Sequence, residues 1–212
     1  MTDVLTAELA TTRLLAIIRG TDTSAAIAAG TALLAEGVSI VEVALTTPGA
    51  LDAIAAIRAQ APAGTLVGAG TVLTPAAVAD VAAAGAQFVV TPAVVDSIPE
   101  AARRGLPVAA GALTPTEAYR AVQLGASAVK LFPASVGGAA YLKAVRDPFP
   151  DLPFVAVGGV GLAELPGYLA AGALAVGVGG PLVGDAASGG DLDALRERAR
   201  SYRAAVRAAT AS

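Results

Sequence analysis

The chain contains no cysteine and no histidine. Disulfides, thiol nucleophiles, histidine acid/base pairs and the zinc sites built on those ligands are therefore excluded. Chemistry has to come from lysine, carboxylates, hydroxyls, arginine or the backbone. Charged residues make up 15% of the 212 positions, against a usual ~25%, and aromatics only 4%. Among the ionisable types that do occur, lysine is the scarcest, with Lys130 and Lys143 its only occurrences.

What is present is apolar, 55% of the chain and much of it alanine, a composition that fits a buried sheet with small-residue helices packed closely on it. The length fits one domain, residues 1–212. A net charge of -3 and a pI near 4.9 argue against nucleic acid or an anionic membrane as partner, since both require a basic face. The mean hydropathy of +0.68 invites a membrane reading. The longest uncharged stretch, 59–79, is broken by Pro62, Pro75 and glycines, and does not make a continuous spanning helix. Asp3, Glu8 and Arg13 precede only a five-residue apolar run, which is not a signal peptide, so the expected location is the cytoplasm.

A repeat organises the chain. Gly37, Gly64, Gly85, Gly105, Gly125 and Gly172 each precede an apolar run of about five residues, and from Gly64 to Gly125 the intervals are 21, 20 and 20 residues. That spacing holds one short helix and one strand with tight loops. At the far ends of the runs stand Thr47-Pro48, Thr74-Pro75, Thr91-Pro92 and Thr114-Pro115, which read as helix N-caps followed by first-turn prolines. Thr114 with Glu117 adds a capping box. Eight strands are expected, near 14–19, 38–43, 65–69, 87–91, 107–110, 127–132, 154–158 and 174–178, with a leading helix over 2–12 and a closing one over 191–208. Runs apolar on both faces mean a parallel sheet covered by helices. Eight such units predict a closed (β/α)8 barrel, with an open doubly wound sheet as the alternative.

In such a barrel the active site lies at the C-terminal ends of the strands. Few charges fall there: Arg19 after the first strand, Glu42 within the second and Lys130 within the sixth. Lys143 lies on an amphipathic helix and is ordinary surface charge. Glu42 and Lys130 either form a buried ion pair that fills the barrel or do chemistry, and such pairs rarely stabilise better than apolar replacements. An unperturbed lysine, pKa ~10.4, is neutral about once in 2,500 molecules at pH 7, so a nucleophilic amine needs its charge disfavoured by burial. A drop of about 3 in pKa is worth about 4 kcal/mol, which the neighbours Ala128, Val129, Leu131 and Phe132 can supply. Glu42 is then the candidate proton carrier. The pairs Gly158-Gly159 and Gly179-Gly180, following the last two strands, either bare backbone N–H groups to a phosphate or simply make tight turns. Thr71 offers a hydroxyl at the rim.

These residues resemble a known family. E-V-A-L at 42–45 followed by T-T-P, G-A-G-T-V at 68–72, G-A-Q-F-V-V-T-P at 85–92, V-K-L-F-P at 129–133 and V-G-G-V at 157–160 are similar, in order and over nearly the whole chain, to the 2-keto-3-deoxy-6-phosphogluconate (KDPG) aldolases, also known as 4-hydroxy-2-oxoglutarate (KHG) aldolases. The resemblance implies a class I aldolase on a TIM barrel, free of metal and cofactor, usually a homotrimer, acting on a small 2-keto acid. It implies Lys130 as the Schiff-base lysine and Glu42 as general acid/base. It implies Thr71 at the substrate carboxylate, Phe132 beside the imine, and Gly158 and Gly159 at a phosphate, with Pro92, Gly179 and Gly180 completing the substrate set. Two positions depart from the pattern. Thr46 stands where some members carry a carboxylate-binding arginine, a charge that Arg19 is expected to supply instead. Gly180 stands where many carry a phosphate-binding serine. Two other functions compatible with the residues are a phosphate-binding barrel isomerase or epimerase using Glu42 without covalent catalysis, and a non-catalytic barrel serving binding or assembly.

Overall fold

The computed structural model describes residues 3–211. Eight strands form one closed parallel barrel: β1 (Leu14–Ile18), β2 (Ile40–Ala44), β3 (Leu66–Gly70), β4 (Val89–Val90), β5 (Val108–Ala112), β6 (Ala128–Leu131), β7 (Phe154–Val157) and β8 (Ala175–Val178). Each pairs with the next, and β8 returns to β1 through Leu14↔Val176, Leu15↔Gly177 and Ala16↔Val178. The expected barrel is thus the observed one, and the open sheet is not. Six strands are shorter than the expected runs, β4 most of all with two residues, while β3 and β5 are shifted toward their C-terminal ends. Around them run α1 (Val4–Thr12), α2 (Thr23–Ala35), α3 (Ala50–Gln60), α4 (Pro75–Ala83), α5 (Ser97–Arg103), α6 (Pro115–Gln123), α7 (Gly138–Arg146), α8 (Leu165–Ala170), the single turn α9 (Gly180–Val183) and α10 (Leu192–Thr210).

The strand period of two divides the apolar residues into two cores. Leu14, Ala16 and Ile18 of β1 point out to the helices, and Leu15 and Ile17 point into the barrel. The inner core is small and ends partway up: Leu15, Ile40, Leu66, Phe88, Ala109 and Ala128 fill the lower barrel. Helix α1 closes the base beneath them, capped by Asp3 and inserting the fully buried Leu5 and Leu9. The leading helix therefore begins at Val4; Thr2, where it was expected to begin, lies outside the described residues.

Above that layer the inward positions are largely glycine: Gly68 and Gly70 on β3, Gly111 on β5, Gly177 on β8. At Gly68 an added Cβ would strike the Phe88 ring at 2.5 Å, and at Gly177 it would meet Val157 at 2.7 Å. The barrel is packed below and hollow at its C-terminal end.

Two of the four Thr-Pro pairs cap helices as expected. The Thr74 hydroxyl accepts from the Ala77 N–H, and Thr114 and Glu117 form the capping box. The other two do not, because their helices begin further on, at Ala50 behind Gly49 and at Ser97 behind Asp96. Their hydroxyls bond the backbone of a neighbouring strand or loop instead. Thr47 accepts from the Gly20 N–H at 3.2 Å, and the fully buried Thr91 accepts from Gly111 N–H at 3.2 Å and donates to the Ala93 carbonyl at 2.6 Å. Thr91 thereby folds the end of β4 over β5, so close that a Cβ on Gly111 would collide with the Pro92 carbonyl.

Candidate active site

The hollow end of the barrel opens into a cavity of about 310 Å³. Ile17 and Arg19 line it from β1, Thr71 from the end of β3 and Pro92 from the end of β4; Lys130 and Phe132 come from β6. The far wall is Val157 to Val160 after β7 and Gly177 to Gly180 with Pro181, Val183 and Gly184 after β8. Of the positions singled out in the sequence, Arg19, Thr71, Pro92, Lys130, Phe132, Gly158, Gly159, Gly179 and Gly180 all meet here. Thr46 is not among the lining residues: β2 ends at Ala44, and Thr46 lies exposed in the turn before α3.

Lys130 and Glu42 are the only charged side chains that are buried among the described residues, at 6% and 2% exposure. Both project inward from neighbouring levels of the barrel, Lys130 in register with Gly111 and Glu42 with Ile17 and Gly68. Burial is the main influence on each. It pushes the Lys130 amine below its usual pKa of 10.5, opposed by the negative charge of Glu42 and helped by the positive charge of Arg19. It pushes the Glu42 carboxyl above 4.5, opposed by the charges of Lys130 and then Arg19. The two groups feel each other without touching, since no ion pair within 4.0 Å joins them. A contact ion pair plugging the barrel is therefore not what the pair forms. The Lys130 Nζ instead lies 4.8 Å from the centroid of the Phe132 ring, whose face favours a cation and whose bulk keeps water away.

Glu42 lies beside the cavity, its carboxylate against Gly70, and its Oε2 is buried with no hydrogen-bond partner. A buried carboxylate oxygen without a donor is costly, and buried carboxyls with shifted pKa values concentrate at functional sites. Arg19 is exposed at the rim, its Nη2 donating to the Thr71 hydroxyl at 3.5 Å. Thr71 has φ +60, a left-handed conformation that β-branched residues avoid, and such strain concentrates at functional sites.

On the far wall Gly158 and Gly159 have φ of +93 and +75. Among the described residues the amides of Gly159, Gly179 and Gly180 have no protein acceptor. They form a set of free donors lining the cavity after β7 and β8, the latter strand paired with β1, which leads to Arg19. The loop joining Phe132 to this wall is fastened by the Tyr168 hydroxyl, which donates to the Ala134 carbonyl at 2.9 Å.

The profile of the KDPG and KHG aldolases matches residues 5–197. The chain belongs to this family. It is 39% identical over 194 residues to a probable 2-dehydro-3-deoxy-6-phosphogalactonate aldolase of Rhizobium meliloti (strain 1021), covering 91% of this chain and 90% of that one. Among solved structures it superposes, with TM-score 0.83 and 30% identity over 92% of this chain and 96% of the other, on the KDPG aldolase of Legionella pneumophila, captured with pyruvate as a covalent carbinolamine. A cube-shaped protein cage designed by fusing symmetric oligomeric domains contains a similar chain, with TM-score 0.87 and 34% identity over 94% of this chain and 73% of that one. The protein is a class I aldolase, a carbon–carbon lyase. The isomerase and binding-module readings are not favoured.

The sequence reading missed the apolar lining: Ile17, Val157, Val160, Pro181 and Val183. Ile17 and Val157 share the inward phase of Arg19 and Val155 on their strands, a signal available once one inward residue per strand is known. Pro181 and Val183 belong to α9, a single turn too short to leave a periodic pattern.

Proposed function

We propose that the enzyme cleaves 2-keto-3-deoxy-6-phosphogluconate, or a close 2-keto-3-deoxy sugar acid or 4-hydroxy-2-oxoglutarate, to pyruvate and an aldehyde through a Schiff base on Lys130. The observation that carries this is a lysine amine buried in an apolar strand, its charge disfavoured by that burial, facing a cavity beside a buried carboxylate. The substrate carboxylate is assigned to Arg19 and Thr71, and C2 then falls within reach of Lys130. The amine attacks the C2 ketone to give a carbinolamine, and Glu42 helps expel its hydroxyl as water. The resulting iminium accepts electrons. Glu42 takes the proton of the C4 hydroxyl, the C3–C4 bond breaks, and the bond pair passes through C3 to the iminium nitrogen as an enamine while C4 leaves as the aldehyde carbon. Protonation at C3 and addition of water to the imine release pyruvate and restore the amine.

Borohydride added with pyruvate tests the assignment. The expected result is a reduced adduct on the peptide carrying Lys130; no adduct, or an adduct elsewhere, would overturn it.

The distal phosphate is assigned to the amides of Gly158, Gly159, Gly179 and Gly180, supported by the free donors there and by the glycine-built anion sites common on this fold. Resting on backbone donors, with Arg19 assigned to the carboxylate, the phosphate contributes less to binding than a dedicated cationic site would provide. Comparing kcat/KM on the phosphorylated and unphosphorylated sugar acids checks this; equal values would remove the phosphate from the reading. We further propose a cytoplasmic homotrimer acting in sugar-acid breakdown of the Entner–Doudoroff type. The symmetric-oligomer relative and the alanine-rich outer surface support the trimer, and light scattering at three times the chain mass would bear it out.

A further inference from the structure

We propose that Gly70 is a positioning residue: its missing side chain is what lets the Glu42 carboxylate lie where the reaction needs it. This rests on the reading of Glu42 as proton carrier. The backbone at Gly70 gives no reason for glycine, because its φ lies outside the left-handed region, unlike that of Thr71 beside it. It is an ordinary ladder residue, in register with Ala44 and accepting from the Leu45 N–H at 2.9 Å. What the position cannot tolerate is volume. A Cβ there would collide with Glu42 Oε1 and lie 2.9 Å from Cδ and 3.5 Å from Cγ.

The other inward glycines are different. At Gly111 the obstacle is the Pro92 backbone and at Gly68 the packed Phe88 ring, both parts of the fold. At Gly70 the only obstacle is the tip of one flexible side chain, so an added methyl group is accommodated by swinging the carboxylate aside. The barrel survives and the carboxylate moves. Glu42 Oε2 has no hydrogen bond to hold it, which leaves steric shape as the restraint on its position. The other charges facing it are Lys130 and Arg19, and any displacement alters its distance to both.

The test is Gly70→Ala, alone and combined with Glu42→Ala, in the full-length enzyme. Displacement of a catalytic group by about 1 Å costs roughly 100-fold in rate, so the single variant should lose about 10- to 100-fold in kcat with KM changed less than about threefold and the melting temperature retained. In the Glu42→Ala background, where nothing occupies the contested space, Gly70→Ala should cost no further activity. The carboxyl titration of Glu42, followed by 13C NMR of labelled glutamate and assigned by its disappearance in Glu42→Gln, should move in Gly70→Ala. Full activity in Gly70→Ala, an equal loss in both backgrounds, or an unmoved titration would each overturn the proposal. If Glu42→Ala itself proves fully active, the proton-carrier role falls, and the titration still decides whether Gly70 sets the position of the carboxylate.

Discussion

At the scale of single residues, two charges buried by the same apolar surroundings pull stability and function in opposite directions. Lys130 has its pKa lowered in the folded state, so the native chain holds fewer protons than the unfolded one below 10.5, and stability is lost as pH falls through the depressed value. Glu42 has its pKa raised, so stability is lost as pH rises from 4.5 through the elevated value. Both penalties operate between those limits. Replacing the pair together, Glu42→Gln with Lys130→Met, should raise stability near neutral pH by roughly 1–4 kcal/mol, read by denaturant unfolding, while abolishing activity. The pH profile of adduct formation with pyruvate gives a second check. Arg19 helps depress the amine and Glu42 opposes that, so Arg19→Gln should move the rising limb to higher pH and Glu42→Gln should move it lower. A common direction would contradict the electrostatics described for Lys130. Lys130 and Glu42 were legible in the sequence because a charge inside an apolar strand is conspicuous without coordinates. The demand on Gly70 was not, because it arises from a side chain on the neighbouring strand.

At the scale of elements, the βα repeat was readable from glycine spacing because six of the eight strands, all but β1 and β7, are preceded by a left-handed glycine, from Gly37 at φ +79 to Gly172 at +90. The ends of the elements were less readable. Thr-Pro has the same local signature whether the threonine caps a helix, as Thr74 and Thr114 do, or bonds the backbone of a neighbouring strand or loop, as Thr47 and Thr91 do. What separates them is where the next helix starts, a property of the loop and not of the dipeptide. Thr91 bonds two backbone groups across β4 and β5 and sets Pro92 against the cavity. Thr91→Val, nearly the same shape without the hydroxyl, should lower stability by about 1–3 kcal/mol and raise KM more than it lowers kcat. A variant with wild-type melting temperature and KM would show that the clamp is dispensable.

At the scale of the whole molecule, barrel closure was foreseeable from the count of eight units, and the proposed trimer rests on the symmetric oligomeric domains of the designed cage and on surface composition. Chains that associate only when folded are stabilised by mass action, so the melting temperature should climb with protein concentration. A midpoint independent of concentration over two decades would speak for a monomer. The arrangement of the cavity also separates bond making from substrate choice. The amine and carboxylate stand on rigid strands, and the cavity wall after β8 includes a position with open space beside it. At Gly180 an added Cβ would meet nothing within 4 Å. Selection, natural or in the laboratory, can therefore place a side chain at that one position and redirect the catalyst to new aldehydes without disturbing the machinery that cuts the carbon chain.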